Sequence, residues 1–170
     1  MKMKKLLALI LSSLMALTVL TACGGGSHGN ELDLGELNAM ISNAGGDFTV
    51  RADRGLNAGV LAAAAEIEKG NIVGGEVIQQ HLDGVWKLST WVVEDRDLDD
   101  PGLTLTDIPD AETYEQIKSL GELDTPEKAA AAAALKLHAE FSDRIICASI
   151  QSAETPTGRA YWVIAVVALQ

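Results

Sequence analysis

Few side chains in this chain could ligate, attack or shuttle protons, apart from its many carboxylates. There are three histidines, His28, His81 and His138, and two cysteines, Cys23 and Cys147. Asp95, Asp97 and Asp99 alternate, the way oxygen ligands are offered to Ca2+. They are a candidate calcium site but not an EF-hand, because Asp100 stands where that loop needs Gly and Thr106 where it needs a bidentate Glu. The same residues also suit a solvated acidic loop guarding a sheet edge. Cys147 lies between Ile146 and Ala148 in an apolar run, so it is expected as a buried, inert thiol, since activation needs a nearby base or positive charge. His138 is one helical turn from Leu135 and is expected to flank the apolar face. His81 follows Gln79 and Gln80 and is expected at a hairpin end, and His28 falls in a glycine-rich linker. Glu66 and Glu68 do not share a helical face and make no acid–base pair. No Gly-x-Ser-x-Gly elbow, His-Glu-x-x-His helix or phosphate loop is present.

Cys23 has the most specific surroundings. Lys2, Lys4 and Lys5 form a cationic head, and Leu6–Leu20 follow as an apolar run interrupted only by Ser12, Ser13 and Thr18. This is the pattern of a secretory signal, too short and too abruptly ended by glycines to suit a membrane span. Leu20-Thr21-Ala22-Cys23 resembles the lipobox of bacterial lipoproteins. The resemblance implies cleavage before Cys23 and a thioether-linked diacylglycerol on its sulfur, with more than one acyl chain making the anchor stable. Residues 1–22 are then a signal peptide, 23–30 a lipidated flexible tether, and 31–170 one domain. The expected location is the bacterial cell membrane, lipid-anchored and facing outside the cytoplasm.

The remaining bounds follow from that cut. The mature chain keeps 10 basic and 24 acidic residues, a net of about −14. Such a surface excludes nucleic acid as a partner and is repelled by anionic headgroups, leaving the N-terminal lipid as the membrane contact. With Cys23 acylated, Cys147 has no partner for an intramolecular disulfide, so the core must hold the fold. A cofactor is not implied beyond the candidate calcium loop.

The elements that must position these residues can be read in order. Leu34, Leu37 and Ile41 predict a helix over about 31–43, stopped by Gly45-Gly46. Residues 47–51 are short and β-prone. Asp53 caps a second helix with Leu56, Val60, Ala64 and Ile67 in one stripe, closed by Gly70. Glu76–Leu82 and Val85–Val93 flank Asp83-Gly84, which predicts a tight β-hairpin because both turn positions favour positive φ. Leu103–Leu105 is a possible brief strand after the acidic loop. Asp110 caps a helix to about Leu120, ended by Gly121. Thr125-Pro126-Glu127 starts another to about Phe141, rich in helix-forming alanine over Ala129–Ala134. Arg144–Gln151 is a strand with Ile146, Ala148 and Ile150 on one face. Arg159–Leu169 is apolar on both faces and belongs in the middle of a sheet or between layers. The expected fold is α+β, an antiparallel sheet of hairpins packed with helices, with a three-layer α-β-α sandwich as one form.

Two patterns bear on function. Residues 54–94 and 125–169 each read helix, strand, turn, strand, compatible with a duplicated helix-plus-hairpin module serving as an inhibitor or scaffold. Separately, Leu37-Asn38, Leu56-Asn57-Ala58 through Glu66-Ile67, His81-Leu82-Asp83-Gly84, Gly121-Glu122, Thr125-Pro126-Glu127 and Tyr161-Trp162-Val163 together resemble the CAP domain family, also called the SCP domain. The resemblance implies a three-layer sandwich with His81 facing a cleft beside Glu122. Leu123 departs from the family's Asn after Gly-Glu, and the alanine helix lacks its Trp and Gly-His-Arg. The leading reading is a lipid-anchored, non-enzymatic binding domain for a peptide, glycan or protein. The enzymatic alternative, an extracytoplasmic hydrolase, needs His81 or His138 beside a nucleophile or carboxylate in a pocket.

Overall fold

Four helices begin on side-chain caps. In the computed structural model, which describes residues 32–94 and 108–170, Asp33 accepts from the Gly35 and Glu36 amides at 2.8 and 3.1 Å and starts α1, Leu34–Asn43. Asp53 accepts from the Leu56 amide at 2.8 Å and starts α2, Arg54–Glu68. A five-residue helix, α3, spans Gly75–Gln79, and the strand β1 spans Val85–Glu94. Asp110 starts α4, Ala111–Ser119, by accepting from the Thr113 amide at 2.7 Å. Thr125 and Pro126 start α5, Pro126–Glu140. Two strands finish the chain, β2 over Ile145–Glu154 and β3 over Ala160–Leu169. Each cap satisfies an amide that the first helical turn leaves without a partner.

The three strands of the described residues pair antiparallel in the order β1-β3-β2. β3 is therefore central, as its two apolar faces require. Trp162, Ile164, Val166 and Ala168 point into one layer, with Ile146, Ala148 and Ile150 beside them and α1, α4 and α5 above. Tyr161, Val163, Ala165 and Val167 point into the other, covered by α2 and α3. The fold is α+β with helices on both sides of the sheet, an α-β-α sandwich. α5 is buried around most of its circumference, since it sits between the sheet and α1 and α4, and every alanine from Ala129 to Ala134 is at most 3% exposed. Only small side chains let a helix be enclosed this closely.

The hairpin expected around Asp83-Gly84 is not formed. Residues 76–82 hold α3 and a turn instead of a strand, although Val77 and Ile78 are β-branched. Ile78 is fully buried against α2, and Val73, Val77 and Leu82 pack around it, so docking outweighs local propensity. The turn chemistry itself is present: Gly84 has φ +68°, and its carbonyl accepts from the Gln170 amide at 3.2 Å, tying the start of β1 to the end of β3. Without that hairpin, residues 54–94 and 125–169 are not equivalent units, and the duplicated-module reading loses its structural basis. Leu103–Leu105 lie outside the described residues.

Candidate functional site

Among the described residues, the outer edge of β2 is covered for only part of its length. The segment before α2 runs beside it, and Arg51 forms a parallel bridge to Cys147: the Arg51 amide donates to the Ile146 carbonyl at 3.0 Å, and the Ala148 amide donates to the Arg51 carbonyl at 3.3 Å. At Asp53 the chain turns into α2 and leaves the edge. Backbone groups of alternate residues point to the same side of a strand. Beyond the bridge, the Ala148 carbonyl and the Ile150 amide and carbonyl therefore face outward, with no backbone partner among the described residues.

These groups open into a groove of about 310 Å³. Its floor is Ala148–Gln151. Leu32 and Leu34 form one wall, where α1 begins, and Asn57, Val60 and Leu61 of α2 form the other. Leu61 is 56% exposed. The stripe Leu56, Val60, Ala64 and Ile67 faces the sheet, and Leu61 falls beside it at the groove. The site combines a strand edge whose outward donors and acceptors have no backbone partner among the described residues with apolar walls from both helical layers. Its composition gave no signal of this, because an edge exists only once strand pairing is known.

The residues singled out by type lie elsewhere. His81 is exposed in the turn after α3, next to Leu82 in the α2–α3 layer. Glu122 is exposed between α4 and α5, with Leu120 and Leu123 packed in the opposite layer. The sheet separates the two layers, so the cleft pairing His81 with Glu122 is not assembled. Cys23 and the aspartates Asp95, Asp97 and Asp99 lie outside the described residues, and among the described residues no cluster of three His, Cys, Asp or Glu side chains could hold a metal ion. Glu66 is held by Lys69 at 2.6 Å and Asn71 at 2.9 Å, and these bonds keep its carboxyl below the ordinary value. It closes the end of α2 and does not pair with Glu68.

His138 is more enclosed than a surface flank. Its ring stacks on Phe48 with centroids 4.0 Å apart, and Nε2 is 3.6 Å from Asp47 Oδ1, a carboxylate that is 94% exposed. A shallow recess of about 200 Å³ adjoins it, between the Gly46–Phe48 turn, α4 and the end of α5. Nδ1 is buried with no hydrogen-bond partner among the described residues. A general base needs a nucleophile in reach and an orienting partner on its second nitrogen. The one hydroxyl lining this recess, that of Thr113, donates to Asp110 at 3.0 Å. Cys147 is buried as expected, and desolvation, reinforced by the Asp53 charge and opposed by Arg51, raises its thiol to about 11. It is a packing residue.

No family model matches the chain, and no curated protein or solved structure matches it either.

Proposed function

We propose that this protein is an exported lipoprotein, held to the bacterial membrane by acylated Cys23, whose α-β-α domain is a binding module for polypeptide ligands. The anchor rests on the lipobox-like residues Leu20–Cys23 and the cationic, apolar leader before them. The binding role rests on one observation, the groove beside the open half of the β2 edge. Apolar walls with a few convergent polar groups are the ordinary make-up of a ligand site. Here the polar groups are backbone amide and carbonyl, which favours a peptide over a glycan.

Two measurements test it. Cys23→Ser moves the protein from the membrane fraction to the soluble exported fraction, and an unchanged membrane fraction would contradict the anchor. Panning a random peptide library against the Cys23→Ser chain enriches sequences whose binding is lost in Leu61→Lys. Selected peptides that bind both forms equally would place the ligand site elsewhere or nowhere.

A further inference from the structure

The chemistry of the groove narrows its partner, on the reading that the groove is the ligand site. We infer that it accepts an extended, cationic peptide segment as an added strand on β2. The Arg51 segment already shows that this edge takes a strand, and its bridge stops at Ala148. An incoming peptide donates its amides to the Ala148 and Ile150 carbonyls and accepts from the Ile150 amide, extending the ladder where Arg51 leaves it. Its side chains alternate toward the two helical layers and meet Leu32 and Leu34 on one side and Leu61 on the other.

Charge selects among such segments. Among the described residues no charged side chain lines the groove itself; around it stand Asp33 and Asp53, which cap the two walling helices, with Glu36 in the first turn of α1 and Glu154 at the end of β2, against Arg51 and Arg54. The chain as a whole carries 24 acidic against 13 basic residues. A field of this sign steers basic ligands and disfavours acidic ones. The chain's own residues 24–31 suit the groove poorly, since Gly24-Gly25-Gly26-Ser27-His28-Gly29-Asn30-Glu31 contains no aliphatic side chain for its walls.

The probe is an acetylated, amidated heptapeptide, Lys-Lys-Val-Ile-Val-Lys-Lys, titrated calorimetrically into the full Cys23→Ser chain. It is expected to bind one to one, with Kd rising about ten-fold between 0.05 and 0.5 M salt. N-methylation of its three central amides, which keeps its charge, abolishes binding, and amide exchange at Ile150 slows when the unmodified peptide is bound. Leu61→Lys weakens binding at least about ten-fold, and Leu61→Glu weakens it less, because it removes apolar wall but not the favourable charge. Equal binding of the N-methylated peptide, or of the Glu-for-Lys peptide, would overturn the inference. So would a peptide-free dimer that Leu61→Lys converts to monomer, or peptide binding that appears only when residues 24–30 are deleted. If library panning yields neutral or acidic ligands that Leu61→Lys rejects, the binding reading stands and this inference falls. If nothing selected depends on Leu61, both fall.

Discussion

The Asn38 side chain forms two hydrogen bonds with the backbone of Val50. Its Nδ2 donates to the Val50 carbonyl at 3.1 Å, and its Oδ1 accepts from the Val50 amide at 2.7 Å. One amide side chain on α1 thereby replaces a neighbouring strand for a single residue. The Val50 side chain, 3% exposed, drops into the core, and Arg51 is delivered to the β2 edge. Asn38 thus fixes the residue just before the bridge, and the edge is left open where the chain turns into α2 at Asp53.

Replacing Asn38 should therefore loosen this segment. Asn38→Ala leaves both Val50 backbone groups half-buried without partners, at a cost of about 1–3 kcal/mol. Urea unfolding should show that loss, with faster hydrogen exchange at the Arg51 amide. Unchanged stability and exchange would mean that the Arg51 bridge holds the segment unaided.

Gly59 is a second point of close approach. A β-carbon there would lie 2.8 Å from the Ile78 carbonyl oxygen and 2.9 Å from the Ile78 Cα, both backbone atoms that a rotamer change cannot move. On an exposed helix, Gly→Ala gains about 1 kcal/mol. Here α3 must be displaced, and Gly59→Ala is expected to destabilise the domain by about 1–3 kcal/mol. A thermal melt decides the sign, and a rise in Tm would show that α3 docks loosely.

These two contacts mark where sequence reading succeeds and fails. Asp53, Asp110 and Thr125 could be placed because a cap is a local matter of one side chain and an amide three residues on. The central position of β3 was legible because a strand with no polar face has nowhere else to go. Residues 76–82 were misread because Val77 and Ile78 favour strands alone, and only docking onto Gly59 makes them helical. The groove was invisible for a similar reason. Leu32, Leu61 and Ile150 are ordinary apolar residues far apart in the chain, and nothing about them singles out an edge until Arg51 is seen to cover half of it. His138 was placed correctly near the end of its helix, but its stack on Phe48 is a long-range contact that spacing cannot reveal.

Acid should weaken the domain through specific carboxylates. The Thr113 amide holds the Asp110 carboxyl below its ordinary value against desolvation, with lesser help from the Thr113 hydroxyl and the Glu112 amide. A carboxyl whose folded pKa is depressed contributes stability that is present above its unfolded pKa, near 4, and is lost as pH falls through the lower folded value. Asp124, bound to Lys128, and Glu66 act in the same direction. Asp110→Asn keeps a capping oxygen but cannot titrate, so its unfolding midpoint should fall less steeply than the parent's as pH drops from about 4. Parallel pH profiles for the two proteins would show that the Asp110 charge adds nothing to the cap.

Cys147 provides the opposite limb. With its thiol raised to about 11 by burial, the folded state binds the proton more tightly than the unfolded chain does. The associated stability is complete below the unfolded thiol value, about 8.5, and is lost as pH rises toward 11. Two observations should agree. A thiol reagent at pH 8 should modify Cys147 only as fast as the domain opens, with the rate rising sharply across the urea transition. Cys147→Ala leaves no thiolate to form on unfolding, so its stability should fall less between about pH 8.5 and 11, although the lost sulfur leaves a small cavity in a strand that is otherwise closely packed. Rapid labelling of the folded chain at pH 8 would instead mean that the Arg51 segment lifts readily from β2, exposing the edge along its full length.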